Sequence, residues 1–253
     1  TNGYSKSPEV DLEYAKIINN FNFSYKINYS KFSASKVHGF NGYQIMGKYL
    51  FLNESPNEGT RVFSEASVSN YTSYKNFKIS SQIGIQNIAY NLVNKDSPTK
   101  DISVPNINIL VRSTFFKKEK GLTKILEPKL ALGYVGYEDQ SMNPIFDSDN
   151  LSANNQLFNN SRFSGLDRIG DQNFYTIGIT YTTKKMGMDK LRLDVSKKIY
   201  LRDRQVWINP MMHQAEVSEQ MPSHNPMMMG MNAEPIVFMA SYMPKKNTML
   251  MMY

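Results

Sequence analysis

The sequence predicts an all-β fold: an antiparallel up-and-down meander that forms a fragment of a transmembrane β-barrel. Three observations predict it. Apolar and polar residues alternate with a period of two in segment after segment. Several of these segments outrun the usual soluble strand of about 5–6 residues and reach the ~9–11 that a tilted membrane strand needs. Short connections alternate with longer ones, as in membrane barrels with short turns on one rim and long loops on the other.

The first strand is expected over 21–35. "FNFSYKINYS" sets Phe21, Phe23, Tyr25, Ile27 and Tyr29 on one face and Asn22, Ser24, Lys26, Asn28 and Ser30 on the other. Further strands are expected over 41–54, 59–72, 75–93, 103–118, 122–138, 172–184, 189–206 and 234–243, with a tenth beginning near 248. Within 75–93, Phe77, Ile79, Ile83 and Ile85 oppose Lys78, Ser80, Gln82 and Gly84. Within 172–184, Tyr175, Ile177, Ile179 and Tyr181 oppose Thr176, Gly178, Thr180 and Thr182. Within 189–206, Leu191, Leu193, Val195 and Ile199 oppose Arg192, Asp194, Ser196 and Lys198, with Lys197 as the break. In a barrel, Phe21, Phe23, Tyr25, Phe77, Ile79, Ile177 and Ile179 face lipid. Lys26, Lys78, Gln82, Thr176, Thr180 and Arg192 face the lumen, a polar face with few residues able to build a second core. A soluble sandwich has the same alternation, but no reason to sort its loops by length.

The connections near 36–40, 73–74, 119–121, 185–188 and 244–247 read as short, 55–58 as intermediate, and 94–102, 139–171 and 207–233 as long. Pro128 lies inside a strand, where it has no N–H for the ladder, and is expected to mark a bulge or a rim. Trp207 with Tyr200, and Tyr134 with Tyr137, are candidates for an aromatic girdle.

Composition narrows the chemistry. The chain has 253 residues, a formal charge of +7 and no cysteine, so it makes no internal disulfide or thiolate metal site. The charge favours anionic partners without naming one. No apolar run approaches the ~18 residues of a membrane helix, which leaves a barrel open. The three histidines, His38, His213 and His224, form no triad or zinc spacing. The Met-rich stretch 211–231 with His213 and His224 has thioethers and imidazoles that suit Cu(I), but reads more plainly as a low-complexity loop. No enzyme activity, cofactor or metal is expected. The ends read as cuts through a longer protein, with 1–253 lying within one barrel domain.

Two motifs carry more. "LEPKLALGYVGYEDQSMNPIFDS" runs from Leu126 to Ser148, and "SRFSGLDRIGDQN" from Ser161 to Asn173. Together they resemble the LPS-assembly protein D family, with Gly136 where that family often has Pro and Ser161 where it often has Asn. "VSKKIYLRDRQV", Val195 to Val206, resembles a further family stretch through Tyr200, Asp203, Arg204 and Val206, with Lys197 in place of an expected Gln. The resemblance implies a barrel of about 26 strands, preceded by a periplasmic jelly-roll domain that, like the barrel ends, is absent from this chain. It implies an outer-membrane location and delivery of lipopolysaccharide to the outer leaflet. The implied partners are lipopolysaccharide, a lipoprotein plug in the lumen, periplasmic bridge proteins that dock on the missing domain, and membrane lipid, but no nucleic acid. The runner-up is a porin-like diffusion or uptake barrel.

The candidate site is the long connection 139–171. Asp139, Gln140, Phe146, Asp147, Arg162, Phe163, Gly165, Asp167, Arg168 and Asp171 are its motif residues. Glu127, Pro128, Tyr134 and Tyr137 are those of the preceding strand. The loop's charges are suited to pair with one another or with the barrel wall. Phe146, Phe158, Phe163, Leu166 and Ile169 offer apolar anchors. The reading is an ordered lid folded over the lumen; the plain alternative is a solvated loop.

Overall fold

The computed structural model describes residues 4–34, 42–45, 48–51, 57–93, 98–208, 236–245 and 248–252. In chain order its elements are β1 (Tyr4–Ile18), β2 (Phe21–Ala34), β3 (Gly42–Ile45), β4 (Lys48–Phe51), β5 (Gly59–Tyr74), β6 (Phe77–Leu92), β7 (Ile102–Ser113), β8 (Phe115–Glu119) and β9 (Leu122–Val135), then β10 (Asp149–Asn150), α1 (Ala153–Gln156), β11 (Phe163–Ser164), β12 (Gln172–Lys185), β13 (Met188–Tyr200), β14 (Val237–Lys245) and β15 (Thr248–Met252). One antiparallel sheet runs β1-β2-β5-β6-β7-β9-β12-β13-β14-β15, with β8 continuing the β7 edge of β9. The meander is therefore as expected.

Three details differ from the sequence reading. β1 was not foreseen, because "YSKSPEVDLEYAKII" mixes charge into its alternation. Within the expected strand 41–54, Gly42–Ile45 and Lys48–Phe51 form the separate β3–β4 hairpin and do not join the main sheet. Pro128 sits in mid-strand with no bulge. Arg112 pairs Lys129 and Phe115 pairs Leu126 in one unshifted register, and the two-residue gap between them faces the missing N–H.

Turns at 19–20, 75–76, 120–121 and 186–187 share one rim. Positive φ at Asn19 and Asn20, at Lys120 and Gly121, and at Met186 and Gly187 gives the primed turns that match strand twist. The strand ends opening into the connections after β2, β6, β9 and β13 share the other rim.

The register sorts the faces as expected. Tyr25, Ala66, Ile85 and Pro105 lie opposite one another across β2, β5, β6 and β7. Val111, Leu130 and Ile177 do so across β7, β9 and β12. This outer face exposes Phe21, Phe23, Ile83, Leu132 and Ile179. On the opposite face, Thr176 and Thr180 are fully buried. That inner face does build a second core, against expectation. Phe63, Ile88, Ile102, Val104 and Val135 cluster with Ile169, and Ala131, Phe174 and Tyr200 form another group with Phe158. The reason is the 136–171 segment, which lies against the half of the inner face nearest the long loops.

Candidate functional site

The segment folds on itself before it meets the sheet. β10 pairs β11, and two carboxylates stitch the flanks together. Asp167 Oδ2 accepts the main-chain amides of Phe146, Asp147 and Ser148 at 2.8, 2.6 and 3.0 Å. Asp147 Oδ1 accepts the amide of Leu166, and the Asp167 amide donates to the Ser148 hydroxyl. Gln140 clamps Ile169, its Nε2 donating to the carbonyl at 2.8 Å and its Oε1 accepting the amide at 3.0 Å. Gly165, at φ +66°, takes the left-handed turn where a Cβ would strike the Asp147 backbone. These bonds satisfy backbone polar groups that burial would otherwise leave without water.

The wall anchor comes next. Arg61, on β5, is fully buried and forks onto Asp147 at 2.7 and 3.0 Å. The same guanidinium reaches Asp167 Oδ1 at 2.5 Å. Phe146 stacks on Phe32 with centroids 4.3 Å apart and meets Tyr4 edge-on at 5.0 Å. The Tyr90 hydroxyl donates to the Asp167 carbonyl. On the far flank Lys198, also fully buried, donates to the carbonyls of Gln156 and Asn159, and its ammonium sits 3.6 Å from the Phe174 ring centroid. Thr176 donates to the Leu157 carbonyl. Asn160 bonds Asn108 and the Ile107 carbonyl.

The neighbouring loops close on it. Asp171 accepts the amides of Gln205 and Val206, while Arg162 donates to the Val206 carbonyl at 3.0 Å and pairs with Asp171 at 3.4 Å. The Arg162 guanidinium lies 5.0 Å from the Phe163 ring centroid and 5.1 Å from that of Trp207. On the other side Asn143 exchanges bonds with the main chain of Lys100.

With that geometry in place, the family match decides the kinship: the family model for LPS transport system D covers residues 1–248. The chain belongs to this family. The LPS-assembly protein LptD of Acinetobacter baylyi is 33% identical over 127 residues, 49% of this chain and 15% of its own length. That of Alcanivorax borkumensis is 45% identical over 87 residues, 33% and 12% of the two chains. That of Ralstonia nicotianae is 23% identical over 222 residues, 80% and 25%. The chain thus spans a quarter or less of the length of these relatives.

The motif residues divide into two groups. Gln140, Phe146, Asp147, Arg162, Phe163, Gly165, Asp167, Arg168 and Asp171 come together in the packed segment. Asp139 only caps a turn at the Ser141 amide and is exposed. Glu127 receives a weak 3.4 Å bond from Thr114, and Tyr134 and Tyr137 are exposed, so the strand motif stands apart. Tyr200 and Trp207 do not form a girdle. Tyr200 is buried on the inner face, and Trp207 stacks beside Arg162 and Arg204. Gly136, where the family often has Pro, donates its amide to the Pro105 carbonyl, a bond that Pro could not make. The Met-rich stretch and all three histidines lie outside the described residues.

Sequence reasoning missed Arg61 and treated Lys198 as an ordinary polar-face residue. No local pattern singles out either, since their partners are 86 or 106, and 26 to 42, positions away.

Electrostatics follow burial. Desolvation pushes the Asp147 carboxyl up, but the hydrogen bonds and charge of Arg61 prevail and hold it well below the usual carboxylate range. Desolvation and the adjacent Asp147 charge push Asp167 up, against Arg61 and the amides. Burial lowers Arg168, whose donors go to the carbonyls of Asn143, Pro144 and Asp167 rather than to a carboxylate.

Proposed function

We propose that this chain is a stretch of wall, with its lid, in an outer-membrane barrel that delivers lipopolysaccharide to the outer leaflet. The observation that carries the reading is the family match over 1–248, joined to a sheet with one apolar face and one polar, partly lidded face. The apolar face sits in lipid, and the inner face borders a wet lumen that passes the saccharide portion. The lid closes the outer end of that lumen over β2 to β13. The chain does no chemistry on its cargo. Further strands, a periplasmic domain that docks bridge proteins and a lipoprotein plug complete the machine outside this chain.

The test is photo-crosslinking in cells from Gln82 or Thr182, on the inner face, and from Ile177, on the outer face. Lipopolysaccharide is expected on the first two and bulk phospholipid on the third. Labelling of solutes but never of lipopolysaccharide at Gln82 would favour a porin-like barrel instead. An epitope tag near Gln220 is expected to be reachable on intact cells, and one near Gly187 is not.

A further inference from the structure

The inner face holds one row of charges that the fold does not compensate. Register sets Lys78 opposite Arg112 and Arg112 opposite Lys129, on the adjacent strands β6, β7 and β9. Directly opposed residues of a sheet lie about 4.5–5.5 Å apart at Cβ, and like charges there are destabilising. Several other inward cations on this face have acids, and the buried Lys198 is held by carbonyls instead. Lys26 pairs Glu13 at 3.1 Å, Arg61 pairs Asp147 and Asp167, and Arg192 pairs Asp194 at 2.8 Å. Lys129 has a distant 4.0 Å contact with Asp194 and the Phe158 ring at 5.8 Å. Lys78 and Arg112 are exposed, and among the described residues no carboxylate lies within 4.0 Å of either.

The row's place is as informative as its charge. One rung toward the long loops, Leu110, Ala131, Thr176 and Lys198 lie under the lid, with Thr176 bonded to Leu157. The Arg112–Lys129 rung is the next one down, and Phe158 of the lid ends against it. Lys78 and Arg112 therefore lie exposed below the lid edge, and Lys129 is half-buried beside them under Phe158.

We propose that Lys78, Arg112 and Lys129 form an anion-binding step on the barrel wall for the phosphate or carboxylate groups carried by the saccharide of the transported glycolipid. The proposal rests on the transport reading above. Arg112 supplies a planar fork suited to two oxygens, and the flanking lysines supply point charges. Such a row sacrifices fold stability for binding, because an arriving anion relieves the repulsion that the empty wall carries.

The test uses the full-length protein in cells, with a photo-crosslinker at Ser73, which pairs Lys78 in the same row, and a second at Thr182 on a distant rung. The double substitution Lys78→Gln/Arg112→Gln is expected to lower the lipopolysaccharide adduct at Ser73 roughly tenfold while sparing that at Thr182. Lys78→Arg/Arg112→Lys is expected to keep it. Cells whose saccharide lacks its core phosphates should show the same selective loss if phosphate is the group bound; loss only when acidic sugars are removed would assign carboxylate. The purified double Gln variant should unfold at a higher temperature than the parent, the opposite of what a structural role predicts. An unchanged Ser73 adduct, with Thr182 still labelled, would overturn the anion step and leave transport standing. No adduct at either position in the parent would overturn the transport reading itself.

Discussion

Two of the lid's charged anchors differ in kind. At the wall, Arg61 is fully buried against Asp147 and Asp167, and Asp167 is as buried as its partner. The ion pairs there run between the lid and a sheet strand. At the far end, Arg162 and Asp171 spend most of their bonds on the main chain of 205–206 and on aromatic faces, and their direct contact is a long 3.4 Å. The first anchor joins a loop to a rigid strand and fixes where the lid sits. The second joins two loops and fixes how they move together. A buried charge needs a full set of partners, and breaking one partner is worse than never burying the pair. The wall anchor is therefore the more fragile to substitution.

The largest effect is expected at Arg61. Arg61→Ala leaves the fully buried Asp167 beside Asp147 without its guanidinium and should cost about 3–5 kcal/mol. Arg61→Lys should recover little, because a point charge cannot fork onto Asp147. The midpoint of unfolding of the purified protein and the sensitivity of cells to large antibiotics measure both. Phe146→Ala, which empties the slot between Phe32 and Tyr4, should cost about 3 kcal/mol in the same assay. Arg168→Ala strands the Asn143 and Pro144 carbonyls and should cost about 2 kcal/mol. Lys185→Ala, in an exposed turn, should fall within about 0.5 kcal/mol of the parent. If Arg168→Ala and Asp167→Ala were both as silent as Lys185→Ala, the segment would be a solvated loop and not a lid.

The second anchor should respond differently. Asp171→Ala is expected to cost only about 1–2 kcal/mol overall, while exposing the 201–208 segment to trypsin at Arg202 and Arg204 with the lid still in place. Smallest of all, Asp139→Ala removes one exposed turn bond and should change stability by under about 0.5 kcal/mol.

These differences explain what was readable in the sequence. The outer face is legible because most strands repeat the same apolar alternation, as in "FNFSYKINYS". The inner face is legible only where it stays wet. Phe63, Ile88 and Val104 break the polar pattern because a segment distant in sequence packs on them, and no window of a few residues contains that fact. The lid motif announced its carboxylates but not Arg61, which sits in "TRVFSE" as one more strand residue. β1 was hidden because Glu9, Asp11 and Glu13 occupy its inner face while Lys16 interrupts its outer one.

The wall anchor also sets a pH dependence. The Asp147 carboxyl titrates below its unfolded value of about 3.9. Its contribution is therefore complete above about pH 4 and is lost as pH falls through the lower folded value. Asp147→Asn should flatten that part of the acid-unfolding profile.

The central claim is that the lid is held to the wall through Arg61 and Asp167. A double-mutant cycle tests it most directly: unfolding free energies of the parent, Arg61→Ala, Asp167→Ala and the double variant, measured at neutral pH in the full-length protein. The double variant is expected to lose less than the sum of the two single losses, giving a coupling of about 2–3 kcal/mol. Strict additivity of the two single effects would mean that the two side chains do not meet, and Asp167 would not tie the lid to Arg61.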